Sequence, residues 1–503
     1  MKAPSLIPAG KRHLLYRALL LAVIVVLCWR LDSVFTQSPI THDARQNLRA
    51  GFNLNVWGVF SIEEPAAGEP SPDNYREPVV PAAAALFMRL HPAFSPNMDF
   101  EQAAGGSLCR QVKRVNIAWA LLVLLGAAAL AVELTRSTLA ACLSCVLIWL
   151  VFLRNPEHAD TLCTEIPTAA VMLWASLLLV ISVRAGRVRL FLPAGALYGV
   201  LCLTKAVFLY LAPLAVLIVF FCCAPAARLK SVRAFACCAV FTAGIAVAAG
   251  PWMLRNYMQF GTSTLAQRGG TVLYGRMLRD TMTMDEAVSA LYLWGPGAYK
   301  KLVKNSSLDR APADFEEGGR GARLNRSSDS GFALMDEAAE RAGRPEDAIS
   351  FHSRSRAERA RVIRRFASQG HANPELAADG YLKREARQWI VRHPVRHTLM
   401  SLLFAWRGMW CFYGGGLFTA LNALCAAAFL GLAAYGPCAG RPRITAFIAL
   451  PFLMLSFNAF FSHNLSRYSA PAIPHVLLSL CVLVCLFTQR FTRIDNTATR
   501  CRP

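Results

Sequence analysis

The sequence predicts an all-α polytopic membrane protein. The expected architecture is a bundle of about ten to twelve transmembrane helices, with a long first outer loop and a larger, mostly helical polar region later in the chain. Three observations predict it. Hydrophobic residues make up 55% of the 503, where a soluble domain sits near about 45–50%. The excess falls in runs of roughly 16–22 residues, the length that crosses a bilayer as a helix. Lys and Arg collect at the ends of these runs, the pattern of cytoplasmic retention. A barrel would need strand alternation, which is absent, and lipid admits no third architecture.

Lys and Arg number 53 against 31 Asp and Glu, for a formal net charge of +22. No basic helix or ribbon is interleaved with aromatics, so the charge does not indicate a nucleic-acid partner. The partner it indicates is the bilayer. Most of the 16 Cys lie inside apolar runs and act there as small apolar residues. Cys142 and Cys145 form a CxxC within an expected span, with no second pair at metal spacing, which argues against zinc. Cys109 and Cys163 fall in expected outer loops, where a disulfide is allowed.

In chain order, residues 13–34 form the first span. Lys11, Arg12 and Arg17 hold its start inside, and Trp29-Arg30-Leu31 stands where a signal peptide would need a small-residue cleavage site. Asp43 therefore emerges outside, at the start of a polar loop covering about 37–114. Within that loop, 81–90 suits a short helix on the membrane surface, opened by Pro81. Spans are expected at about 115–134, 139–153 and from Glu165 to about 183, with Glu157 and Asp160 in the second outer loop. Two close spans, 190–204 and 206–223, are broken at Lys205. The next, about 235–254, ends in Gly250-Pro251-Trp252.

Hydropathy then collapses. Residues 255–396 form an extracytoplasmic polar region that separates an N-terminal membrane module, 1–254, from C-terminal spans and a basic tail, 397–503. Surface helices are expected at 333–342, 356–366 and 375–391. Residues 318–330, rich in Gly, Arg, Ser and Asp, have the composition of a disordered stretch. Residues 396–413 are apolar but carry Arg407, so they lie flat on the membrane or re-enter it. Spans follow at 417–435, 444–461 and 470–487.

A carboxylate at the outer end of a span is a functional candidate, with a water-facing cap as the plain alternative. Carboxylates and cations at one membrane surface suit transfer from a phosphate leaving group. A carboxylate takes the proton of an attacking hydroxyl, and cations neutralise the phosphate oxygens.

The ordered motifs are Asp43-Ala44, Gly58-Val59-Phe60-Ser61 and Arg76-Glu77-Pro78 with Pro81, then Glu165-Ile166-Pro167. After these come Pro251-Trp252-Met253-Leu254-Arg255-Asn256-Tyr257 with Phe260-Gly261, Gly269-Gly270 with Tyr274-Gly275, Arg392-His393-Pro394 and Arg467-Tyr468-x-x-Pro471. This series resembles the GT-C membrane glycosyltransferases, in particular the bacterial branch related to protein O-mannosyltransferases (glycosyltransferase family 39). The resemblance implies an inverting transfer from a polyprenyl-phosphate sugar to a hydroxyl of a lipid, glycan or protein. The transfer would take place on the periplasmic, extracytoplasmic face of a bacterial inner membrane. It implies Asp43 as general base, Glu165 as a second catalytic carboxylate orienting donor or acceptor, and Arg255, Arg467 and Lys205 for the phosphate. His42, Arg76, Glu77, Tyr257 and Tyr468 would contact substrate. It implies no certain cofactor and leaves a divalent cation open.

Two departures stand out. Ala44 occupies the place where many relatives carry a second acid, and the polar insert 308–370 has no counterpart, which suits a specialised acceptor. The plain alternatives are a snorkelling Arg255, a turn-marking Lys205, and interfacial His158 and His463. The competing functions are a transporter or lipid flippase, and a surface-polysaccharide ligase or polymerase. Against transport, polar residues gather at one face and no internal repeat is visible.

Overall fold

The computed structural model describes residues 9–65, 68–95, 98–224, 232–267, 269–371, 373–412 and 415–500, with side chains described from 16 to 488. The described chain is 75% helix and contains no strands. Six helices are long and apolar enough to cross a membrane: Cys109–Thr135, Glu165–Ala185, Val232–Phe260, Gly416–Cys438, Pro442–Phe461 and Ser466–Thr488. Shorter apolar helices accompany them at Val79–Leu90, Thr138–Leu153, Val188–Thr204 and Val207–Cys223. This is an integral, multi-pass, all-α membrane protein. The basic residues expected to anchor the two ends, Lys11 and Arg12 at one and the Arg-rich tail at the other, lie outside the described side chains.

The chain forms two compact units. The first comprises Met1–Leu265, Leu424–Leu453 and Ala470–Pro503; the second comprises Ala266–Ala423 and Met454–Ser469.

In the first unit, α1 is Ala9–Leu31, α2 His42–Val56, α3 Val79–Leu90, α4 Val115–Thr135, α5 Thr138–Ile148, α6 Glu165–Ala185, α7 Phe191–Thr204, α8 Val207–Cys223 and α9 Val232–Phe260. The long polar loop is more ordered than its composition suggested: α2 starts beside Asp43, where a plain loop was expected. Its apolar face explains this. Ala44, Leu48 and Phe52 recur at helical spacing and are buried with Ala84, Met88, Phe100 and Val112.

Two features fix the bundle. Gly195 on α7 meets Gly244 on α9, and Gly199 packs on Ile245 and Ala248. A Cβ on Gly195 would lie 2.0 Å from the Phe241 carbonyl oxygen, and one on Gly244 2.3 Å from that of Leu192. Small residues let membrane helices approach to backbone contact. At one end of α4, Glu133 pairs with Arg184 of α6 at 2.5 Å and with Arg443 at 2.9 Å. Glu165 opens α6 and Arg184 sits in its last turn, so these two residues mark opposite ends of a helix about 30 Å long.

In the second unit, α10 is Gly269–Asp280, α11 Met284–Leu293, α12 Ala333–Ala342, α13 Phe351–Ser368, α14 Pro374–Arg392 and α15 Pro394–Met409. Residues 318–330 are folded, contrary to the disordered reading. A 3-10 turn, Ala322–Leu324, is closed by Gly321 N–H donating to Asp314 O at 2.7 Å and by Asn325 Nδ2 donating to Phe315 O at 3.0 Å. Local polar partners there replace the apolar core that composition lacked. Residues 394–409 form one helix of 16 residues; Tyr413, the expected end of that stretch, lies outside the described residues.

Candidate active site

In the first unit the segment 73–77 is the hub. Asp43 stands in the first turn of α2, and its Oδ1 lies 3.1 Å from Arg76 Nη2, the arginine being almost wholly buried. The same guanidinium donates to the Asp43 carbonyl. The next residue, Glu77, accepts from the Ala206 amide at 3.2 Å, which ties it to the turn carrying Lys205 between α7 and α8. On the other side, Arg255 Nη1 donates to the Asp73 carbonyl at 2.8 Å. Arg255 is held among aromatic rings, its guanidinium 4.7 Å from Trp252, 5.1 Å from Phe260 and 5.8 Å from Phe60.

Asp73 shapes the hub. Its carboxylate accepts from the Ile62 amide at 2.6 Å and the Tyr75 amide at 3.0 Å. Burial pushes its carboxyl above the usual range, against the pull of these bonds and of Arg255. Asn74 is fully buried with both amide atoms unbonded, and Arg76 Nε is also unbonded.

The loop before α6 docks on α2. Asn47, one helical turn after Asp43, donates to the Leu162 carbonyl at 2.7 Å. Glu165 is 4% exposed, and its Oε2 has no hydrogen-bond partner. His158 is also buried, with Nδ1 unbonded; burial holds it below the usual histidine value, opposed by Glu165 and Glu157. Asp160 belongs to scaffolding: it pairs with the buried Lys113 at 2.9 Å and accepts from the Thr36 amide at 2.8 Å.

The expected residues therefore divide. Asp43, Arg76, Glu77 and Arg255, with the turn at Lys205, converge on segment 73–77. His42 is exposed and takes a left-handed φ of 51°, a strained backbone immediately before Asp43. Tyr257 points away, 62% exposed. Arg467 and Tyr468 belong to the second unit, where the Tyr468 carbonyl accepts from Asn458 Nδ2 at 3.2 Å and its ring meets that of His463 at 5.3 Å. Sequence reasoning missed Lys113, which looks like its flanking neighbours Arg110 and Arg114. It also missed Arg49, whose guanidinium lies 3.4 Å from the Phe100 ring.

No disulfide joins Cys109 to Cys163. Among the described residues no group of three or more His, Cys, Asp or Glu side chains could hold a metal ion. Beside Asp43 stands Ala44, and the Asp43 carboxylate is paired with Arg76.

No protein-family profile matches this sequence, and no curated protein matches it. Solved structures do. The archaeal oligosaccharyltransferase AglB from Archaeoglobus fulgidus, in complex with an inhibitory peptide and a dolichol-phosphate, aligns over 97% of this chain and 52% of its own. The identity is 14% and the TM-score 0.50. The apo form of the Archaeoglobus fulgidus oligosaccharyltransferase aligns over 95% and 52%, at 13% identity and a TM-score of 0.48. The chain spans about half the length of these neighbours. At that identity the likeness is one of fold alone.

Proposed function

We propose that this chain is a membrane glycosyltransferase of the GT-C type, using a polyprenyl-phosphate sugar as donor on the extracytoplasmic face of the inner membrane. The observation that carries the reading is the convergence on segment 73–77 of one carboxylate, Asp43, with Arg76, Arg255 and the turn at Lys205. The acceptor is a hydroxyl on a lipid, glycan or protein. Its oxygen forms a bond to the anomeric carbon on the face opposite the phosphate, while the bond from that carbon to the phosphate oxygen breaks. The electron pair leaves on polyprenyl phosphate and the hydroxyl proton passes to Asp43. Arg76 orients the base. Arg255 and Lys205 take the phosphate in the first unit. Glu165 accepts from sugar hydroxyls.

The resemblance to the protein O-mannosyltransferase branch, the likeness of fold to AglB and the dolichol-phosphate bound to AglB all support a lipid-phosphate donor. The test uses purified protein in lipid with a polyprenyl-phosphate sugar, following release of free polyprenyl phosphate. Release by wild type that is abolished by Asp43→Asn is the expected result; equal release by both proteins removes Asp43 as base.

A further inference from the structure

Three helices of the first unit leave a groove between them. Leu20 and Ile24 of α1, Ala128 and Ala129 of α4, and Leu177 and Ile181 of α6 line a cavity of about 400 Å³, a volume in the range of ligand sites. Ile24, Ala128 and Leu177 form its floor and are 1%, 4% and 6% exposed. Leu21 and Val132, at its rim, are 55% and 36% exposed. Along α4 the lining runs from Leu125 to Glu133. That is about 12 Å of helix, against about 15 Å for the apolar depth of one leaflet.

The walls are held apart. Trp174 of α6 donates through Nε1 to the Leu122 carbonyl of α4 at 3.0 Å, and a Cβ on Gly126 would lie 3.1 Å from that nitrogen. Trp149 Nε1 donates to the Leu27 carbonyl of α1 at 3.0 Å. Closing the groove would disturb these contacts, and Ala128 and Ala129 are too short to fill it. An empty groove forfeits the dispersion contacts of its lining, so an apolar occupant stabilises it.

One end of the groove is charged. Glu133 lines it there and carries two guanidinium groups, Arg184 Nη1 at 2.5 Å and Arg443 Nη2 at 2.9 Å. Arg443 Nη2 also donates to the Glu133 carbonyl at 2.8 Å. The Glu133 side chain is 9% exposed, but those of Arg184 and Arg443 are 38% and 37% exposed. The carboxylate is thus inside and the cations face outward, with one positive charge in excess. Exposed arginines continue from both helices: Arg136 follows α4 in a left-handed turn, and Arg187 follows α6. Glu133 is the only acidic residue from 115 to 155, and none occurs from 166 to 279. An apolar groove that ends in excess positive charge complements an amphiphile with an anionic head.

We propose that the groove between α1, α4 and α6 binds one anionic phospholipid, with an acyl chain over Ala128 and Ala129 and the phosphate on the exposed edges of Arg184 and Arg443. A zwitterionic lipid would bury the same chain without meeting the excess charge. Glu133 and Glu165 mark opposite ends of the α4–α6 pair, so the site takes its lipid from the leaflet away from Asp43 and stands independently of the transfer reading.

The test uses the full chain in detergent, titrated with phosphatidylglycerol or with phosphatidylcholine of the same chains. Native mass spectrometry counts the lipids retained, and thermal melts check that each variant is folded. Phosphatidylglycerol should saturate at one tightly held molecule and bind about 5-fold or more tighter than phosphatidylcholine, the effect of one cation at a lipid headgroup. Ala129→Phe, which fills the groove, should weaken phosphatidylglycerol binding about 10-fold or more. Arg443→Gln should erase most of the preference for phosphatidylglycerol and leave phosphatidylcholine binding unchanged. Val247→Phe, on the exposed face of α9, should bind as wild type. Asp43→Asn should also retain phosphatidylglycerol as wild type does, whatever becomes of sugar transfer. Equal affinity of wild type for the two phospholipids would reduce the groove to a crevice filled by bulk lipid and overturn the proposal. So would a folded Ala129→Phe variant of unchanged affinity, or polyprenyl phosphate bound there more tightly than phosphatidylglycerol. The first and last outcomes need no substitution, so they decide the matter even where a variant fails to fold.

Discussion

Lys113 Nζ lies 2.9 Å from Asp160 Oδ1, and the two side chains are 1% and 9% exposed. Lys113 also donates to the Ser38 carbonyl at 2.8 Å, and Asp160 accepts from Thr36. This pair clamps the segment before α2 to the loop before α6. Removing one partner leaves a buried charge, which costs about 3–5 kcal/mol. Asp160→Asn and Lys113→Met should each lower the melting temperature in detergent clearly. The double substitution Lys113→Met/Asp160→Leu should recover much of the loss; a double variant as unstable as the two singles combined would show that the pair is not the source.

Asp43→Asn should reduce sugar transfer about 10²–10⁴-fold, the range expected for a lost general base. Its melting temperature should fall too, because the almost buried Arg76 loses this ion pair, though by less than for Asp160→Asn, since Asp43 is the more exposed carboxylate. A loss of turnover no greater than the loss of folded protein would assign Asp43 to folding.

Gly195→Ala should destabilise by about 1–3 kcal/mol, the cost of forcing atoms into a packed contact. Gly250→Ala, on the same α7–α9 pair but with nothing within 4 Å of the added carbon, should be close to neutral. Thermal melts of the two variants compare them directly. Equal melting temperatures would mean that the helices separate freely.

Acidification should destabilise the second unit through His352 and His463. Arg326, Arg279 and Arg356 face His352; Arg279, Arg407, His352 and Arg326 face His463. Both folded values lie below the unfolded one of about 6.5, so the unfolded chain binds more protons as pH falls. Stability is therefore complete above about 6.5 and is lost below it, by up to about 1.4 kcal/mol per pH unit for each ring. Melts at pH 8 and pH 5 should differ, and His352→Gln should reduce the difference. A pH-independent melt for wild type would contradict this.

The helical class and most helix positions were legible because lipid imposes one rule on length and polarity. The break at Lys205 between α7 and α8 and the helix over 333–342 follow from hydropathy and periodicity alone. The α2 helix was hidden because its mean polarity is that of a loop, and only its buried face, Ala44, Leu48 and Phe52, betrays it. The motif at Asp43 and Arg76 could be picked out, but their ion pair could not, since a contact across a long loop leaves no local pattern. The charged end of the groove between α1, α4 and α6 was invisible for the same reason. Glu133, Arg184 and Arg443 come from three helices, and each alone looks like an ordinary charge at the end of a span.

The glycine contact between α7 and α9 has a mechanical consequence. Lys205 follows the last residue of α7, and Arg255 rides on the far stretch of α9. With backbone against backbone at Gly195 and Gly244, neither helix can slide or roll past the other. The turn that carries Lys205 and the stretch that carries Arg255 are therefore hung on one pair of helices whose register that contact sets.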